Sequence, residues 1–414
     1  MLFFLDLYAR LLSVIEDTYN LLKSRARKID GCDCRQAFKE EVTISRKYKI
    51  AVMPGDGIGP EVTAEAVKVL KATDVNFEFL PCSVGGKEYL QSGEPIPPHA
   101  IETVNEADAV LFGAVGHDDA PYDISRKVLV YLRMEKDAYA NLRPLKLYPG
   151  LSPPHTQREI DVVIVRDNAE GFSLTHSGRL GNTMGTDQRV ITSFGANRII
   201  YFAYKYATER NRRKITCIDQ SSWLYSDKLF RRSFSNLSEK YPSLAKEHIH
   251  VDVAAMMLSR HPEKFDVIVT PDIYGDILSG VIIGQIGGVG MAPSACIGDN
   301  FAFFEPVHGT AWDIAGKGIA NPIASILSAK LMLEWLGRKE EAWFVDTAVD
   351  EVLAEQEIRT TDLGGNSKTT DVGDAIAKKV MEMGAERRKY KSYLTRASQF
   401  QSPRDLKLHQ DNQN

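Results

Sequence analysis

Cysteine is scarce in this chain and follows no pairing pattern. There are five among 414 residues, Cys32, Cys34, Cys82, Cys217 and Cys296, and only the first two are close together. A lone C-x-C lacks the second half of a zinc site, and an odd count implies no disulfide framework. Free thiols are therefore expected, as in a reducing cytoplasm. A basic excess is also missing: 51 Lys and Arg against 55 Asp and Glu give a net charge of -4. No broad positive field is available to neutralise phosphates, which argues against a nucleic-acid partner. A charged substrate must instead be held by local clusters. No apolar run reaches the roughly 18 residues of a membrane-spanning helix, so no transmembrane segment is expected.

What is present is ordinary globular material, 43% hydrophobic and 26% charged, at a length that suits two or three domains. Residues 1–47 read as an added helical extension, because Phe4, Tyr8, Leu11, Ile15, Tyr19 and Leu22 recur at helical spacing. Asp6, Glu16 and Asp17 argue against a targeting peptide. An amphipathic helix docked on the protein or on a partner is the expectation, with weak membrane-surface contact as the alternative. From Tyr48 onward strands and helices alternate: YKIAVMP, GPEVTAEAVKVLKA, FEFLPCSV, then DVVIVRD, NRIIYFAYKYATERN, KITCID and FDVIVTPD. This is the rhythm of an α/β protein with substantially parallel pairing. Late helices are expected at LSAKLMLEWLG and DVGDAIAKKVMEMG, and a polar, frayed stretch from about Glu386 to Asn414.

Gly55, Gly57 and Gly59 lie between a strand and a helix, but the third glycine comes one residue too early for a dinucleotide fingerprint. Pro60 suits the first helical turn, so a tight strand-to-helix turn is the simpler reading. Arg133 and Arg143 stand ten residues apart in LRMEKDAYANLRP, and Arg166 ends the apolar strand VVIVR. Converging guanidinium groups suit a dicarboxylic acid, while three unrelated surface ion pairs are the alternative. Asp252 follows the IHV run, and Asp276 lies after the strand FDVIVT with Asp272 four residues earlier, read as one loop. Such aspartates suit a divalent cation bound by oxygen, or equally a helix cap.

GDGIGPE, LRMEKDAYANLRP, VRDNAEG, GDILSG and EPVHGTAWDIAGKGIANP occur in this order, and together they resemble the isopropylmalate/isocitrate/tartrate family of β-decarboxylating dehydrogenases, over about Tyr48 to Met383. The resemblance implies a two-domain α/β fold with a cleft between the domains. Residues 48–139 and 286–390 would form the first, nucleotide-binding domain, 140–285 the second, substrate and dimerisation domain, and 391–414 a polar tail. It further implies NAD, Mg2+ or Mn2+, a small 2-hydroxy diacid substrate, and a homodimer, or a hetero-oligomer with a paralogue. Matched residue by residue, Arg133, Arg143 and Arg166 correspond to the substrate-carboxylate clamp. Asp276 corresponds to a metal ligand, and Asp252 to one lent by the neighbouring subunit. Glu305, His308, Gly309, Asp313, Ile314 and Asn321 match cofactor-binding positions. Asp313 followed by Ile314 looks like the NAD-preferring version, since a carboxylate accepts ribose hydroxyls but repels a 2′-phosphate. Leu129 and Val130 stand where the family sets side-chain selectivity, and their apolar nature resembles the isopropylmalate type.

The departures fall on the chemistry. The family's relay tyrosine is replaced by Ser173 and its relay lysine by Gln220, while Gly280 stands where a further aspartate is usual. Glutamine cannot act as a base near neutral pH. Asp272 is a candidate replacement ligand for the metal. Two readings follow: a divergent NAD-dependent decarboxylating dehydrogenase acting on a 3-isopropylmalate-like acid, or a catalytically impaired regulatory or ligand-binding member acting with an intact partner.

Overall fold

A computed structural model describes residues 46–121, 123–151, 159–172, 177–181 and 183–399. The N-terminal extension with Cys32 and Cys34, the relay position Ser173, and the end of the tail lie outside the described residues.

Helices and strands alternate as the apolar rhythm predicts. The first part of the chain gives β1 (Tyr48–Gly55), α1 (Gly59–Lys71), β2 (Phe77–Pro81), α2 (Gly86–Ser92), α3 (Pro98–Glu106), β3 (Ala109–Ala114) and α4 (Ile124–Val130), which runs into a π-helical turn at Tyr131–Glu135. The middle gives β4 (Ala140–Lys146), β5 (Asp161–Asp167), a small hairpin of β6 (Ser177–Leu180) and β7 (Met184–Asp187), α5 (Ser193–Glu209), β8 (Lys214–Asp219), α6 (Tyr225–Ser238), β9 (Ala245–His250), α7 (Val251–Arg260), β10 (Val267–Thr270) and α8 (Asp272–Ile283). The last part gives β11 (Pro293–Ile297), β12 (Ala302–Pro306), α9 (Ile323–Trp335), α10 (Lys339–Glu355) and α11 (Thr369–Gln399).

Ten strands form one sheet in the order β2-β1-β3-β12-β11-β4-β5-β10-β8-β9. The pairings from β2 to β12 are parallel, as are those from β5 to β9. Between these two parallel halves, β12-β11, β11-β4 and β4-β5 pair antiparallel. Strands β3 (AVLFGA) and β10 (VIVT) are buried at every position, as in a sheet covered on both faces. Helix α1 packs through Val62, Ala66, Val69 and Leu70, one stripe of a 3.6-residue period.

The glycine turn after β1 is structural, in agreement with its spacing. Gly57 has φ +59, and a Cβ there would lie 2.0 Å from the Thr310 carbonyl oxygen. Asp56 accepts backbone N–H groups from Gly86, Lys87 and Gly116 at 2.7–2.9 Å, locking the turn to two neighbouring segments.

Two expectations are corrected. The stretch after Glu386 is not frayed throughout: α11 continues to Gln399, past the anticipated boundary at 390. Its sequence AERRKYKSYLTRAS is rich in good helix formers, and Arg387 reaches Glu340 and Glu341 on α10 at 2.8 Å. Asp272 and Asp276 do not share a loop but begin helix α8, where a spacing of four puts them on one face.

Phe112 on β3 is buried and meets Phe303 edge-on, with centroids 6.1 Å apart at 79°. Phe112→Ala is expected to cost about 3–5 kcal/mol, read as a lower urea midpoint with an unchanged slope.

Candidate active site

Antiparallel pairing of β4 with β5 places Arg166 opposite Asn141, and Arg143 stands two residues from Asn141 on the same face. Both arginines are buried, with 6% and 4% of their surface exposed. Strand β10 runs beside β5 with Thr270 opposite Arg166, so the start of α8 reaches the arginine directly. Asp276 bridges the two guanidinium groups, one oxygen 2.7 Å from Arg143 and the other 2.8 Å from Arg166. Arg166 also binds the Asp272 carboxylate at 2.5 Å and donates from Nε to the Asp272 carbonyl. Arg143 is held further by Asn141 Oδ1 at 2.7 Å and Ser279 Oγ at 2.6 Å. Gly275 allows this approach, since a Cβ there would strike the Arg166 side chain at 2.6 Å.

Arg133, on the π-helical turn, pairs with Glu305 on β12 at 3.2 Å. Glu305 was matched to the cofactor, but its contacts lie with Arg133 and with the Cys296 thiol. Burial pulls Arg143 below its ordinary pKa, the Arg166 guanidinium adds to this, and Asp276 opposes it. Burial also works against the charge on Arg133, but Glu305 and its other anionic neighbours outweigh it and hold the group high. Asp276 acts on Arg133 and Glu305 acts on Arg143, so all three cations and these carboxylates belong to one electrostatic neighbourhood.

Leu129, Val130, Arg126, Arg133 and Asn168 line a cavity of about 320 Å3. Leu129 and Val130 therefore open onto the same space as Arg133. Gln220 follows β8; its N–H donates to Asp227 at 2.7 Å, while its Oε1 is buried without a partner. Asp252 lies in the first turn of α7 and is exposed.

The later loop crosses beside the glycine turn, where Ile58 N–H donates to the Thr310 carbonyl. His308 is buried; its Nδ1 is 2.9 Å from the Gly309 carbonyl oxygen, and its Nε2 has no partner. Burial lowers its pKa and favours the neutral ring. A Cβ on Gly309 would meet open space. Asp313 is exposed, and Ile314 packs near Ile58, Val62 and Ala320. Asn321 caps the segment leading into α9 by accepting the Ile323 N–H, and donates to Asp362 at 3.0 Å.

The sheet order and this cluster can be set beside known proteins. The model of a family described as isocitrate/isopropylmalate dehydrogenase matches residues 49–376. The chain belongs to this family. A 3-isopropylmalate/3-methylmalate dehydrogenase of Methanocaldococcus jannaschii is 43% identical over 340 residues, 81% of this chain and 99% of that relative. A homoisocitrate dehydrogenase of the same organism is 42% identical over 339 residues, 79% and 96% of the two chains. Among solved structures, isocitrate dehydrogenase from Methylococcus capsulatus superposes with a TM-score of 0.76 at 34% identity, covering 81% of this chain and 99% of that one. The mixed α/β architecture is thus that of isocitrate/isopropylmalate dehydrogenases. Relatives named for different acids are almost equally similar, so overall identity does not choose the substrate.

Sequence reasoning missed Asn141, Ser279 and Arg126. Asn141 had a usable signal, because alternation on a strand puts it on the face of Arg143. Arg126 precedes Arg133 by seven residues, about two helical turns. Ser279 carried no signal, since only the packing of α8 on β4 brings it to Arg143.

Burial raises the Cys296 thiol to about 12 and the Cys82 thiol to about 12. Alkylation of the folded protein near neutral pH, read by peptide mass spectrometry, should leave both unmodified until denaturant is added. Burial raises Asp167 from 3.8 to about 6, and one of its oxygens has no hydrogen-bond partner. Its neutral form is favoured in the fold, so its contribution to stability is complete below 3.8 and is lost as pH rises through about 6. Asp167→Asn should flatten the pH dependence of the unfolding free energy across that window.

Proposed function

We propose that the chain carries out the NAD-dependent, divalent-metal-dependent oxidative decarboxylation of a small 2-hydroxy diacid of the 3-isopropylmalate type. The observation that carries this reading is Asp276 joining Arg143 and Arg166, with Arg133 in the same electrostatic neighbourhood. In this reading the three guanidinium groups grip the substrate carboxylates, displacing internal acid partners, and fix the hydroxyl carbon for hydride transfer. Leu129 and Val130 receive the substrate's side chain. The domain division runs through the antiparallel centre of the sheet, with the cleft between the two halves.

The residues fit the implied cofactors. Asp272 and Asp276 offer hard oxygen donors on one helix face, as Mg2+ or Mn2+ requires, with Asp252 of the partner subunit completing the set. The unpaired His308 Nε2 is the kind of buried polar atom that a nucleotide satisfies, with Gly309, Asp313, Ile314 and Asn321 alongside. When bound, the nicotinamide takes up the hydride, and the cation stabilises negative charge on the substrate oxygen as carbon dioxide leaves. Val253, Met256, Ile273 and Ile277 expose apolar side chains on the packed pair α7 and α8, which supports a homodimer built there. Among the described residues no helix is long and apolar enough to cross a membrane.

A second reading, a ligand-binding subunit with impaired turnover, is favoured by Gln220 in place of the relay lysine. One assay separates the two. The purified protein is mixed with NAD, Mn2+ and a panel of substituted malates, and reduced nicotinamide is followed by absorbance. Turnover of any member supports the enzyme, and its loss in Arg143→Ala ties it to the cluster. Thermal stabilisation by a malate without turnover supports the second reading. In that case Gln220→Lys with Ser173→Tyr should bring turnover above the detection limit, a gain of at least about 10²-fold.

A further inference from the structure

The edge of the sheet farthest from the glycine turn carries a group of donors that the proposed reaction does not use. His248 and His250 alternate on β9 and so share one face, and β8 runs parallel beside them with Asp219 opposite His250. His248 Nε2 lies 2.9 Å from Asp219 Oδ1, and the two imidazoles stand edge to face at 5.3 Å and 85°. One donor atom from each of the three residues lies within 4.8 Å of the other two. We propose that Asp219, His248 and His250 form a binding site for a transition-metal ion of the zinc class, distinct from the magnesium- or manganese-type site at Asp272 and Asp276.

Three observations carry the assignment. The donor set is two imidazoles and one carboxylate, which suits Zn2+ and its neighbours rather than Mg2+, an ion that takes oxygen. Three protein donors leave a fourth position for water.

The second observation is charge. Asp219 is completely buried, and among the described residues its one ion-pair partner is His248, with no arginine or lysine paired to it. A second completely buried carboxylate, Asp227, lies close enough that both acids raise the Tyr274 phenol, after burial itself, to about 12. Arg189 pairs with Asp227 at 2.5 Å, and Arg231 donates to the neighbouring Ser221 hydroxyl at 3.4 Å. Two completely buried acids thus share one paired arginine among the described residues, an arrangement that a bound divalent cation would complement.

The third observation is orientation. The Ser221 N–H donates to Asp219 Oδ1 at 2.8 Å, and the Cys217 thiol approaches the other oxygen at 3.7 Å. These contacts hold the carboxylate beside His248, as outer partners do around bound metals.

The test uses the full chain with Cys32→Ser and Cys34→Ser, which removes the C-x-C pair as a rival ligand. After chelator stripping, equilibrium dialysis against Zn2+ should load one ion per chain and keep it in excess Mg2+. Co2+ in its place should give visible ligand-field bands without thiolate charge transfer. His248→Ala and His250→Ala should each weaken zinc binding by more than about tenfold, and Asp276→Asn should leave it unchanged. His250→Gln serves where an alanine variant fails to fold by circular dichroism. Binding below one ion per chain, displacement by Mg2+, equal affinity in the histidine variants, or loss in Asp276→Asn overturns the proposal. None of these readouts depends on turnover, so the outcome is independent of the proposed activity.

Discussion

Two guanidinium groups buried side by side would drive their own surroundings apart, and the Asp276 carboxylate that spans them makes the arrangement tenable. The local fold serves this bridge. Antiparallel β4 and β5 set Arg143 and Arg166 on one face, and β10 delivers the first turns of α8 to their tips. Asn141 and Ser279 hold Arg143 through Nε and Nη1, which orients its fork. The Asp276 side chain is half exposed although its partners are not. It is thus the member of the cluster that solvent reaches.

The sheet explains how this cluster meets the rest of the site. Arg133 comes from the turn after α4 and Glu305 from β12, and they pair across 172 positions of sequence because β12 lies between β3 and β11. The glycine turn joins the scheme through Thr310, which only a glycine at position 57 can approach. The end of β1 is thereby tied to the loop that carries His308 and Asp313, and the early glycines position that loop.

Much of this was legible in the residues. Arg166 at the end of an apolar strand announced a buried cation, and the glycines before Pro60 announced the tight strand-to-helix turn. Strand and helix alternation gave the α/β class. The spacing of four between Asp272 and Asp276 was itself a helical signal, overlooked because both follow a strand. The pairing of Arg133 with Glu305 was illegible, since strand order across a ten-stranded sheet is set by tertiary contacts. The helical course of α11 was hidden by polar composition, which suits a solvated helix as well as a tail.

The glycines at 316 and 318 carry one more consequence. Their N–H groups both point to the Glu61 carboxylate at 3.1 Å. A turn that offers two amides to an anion is already filled by the chain's own negative charge. A second anion would be repelled there by the carboxylate already seated on the two amides. The acid at the start of α1 thus clasps residues 316 and 318 to that helix, and the later loop is held at both of its ends.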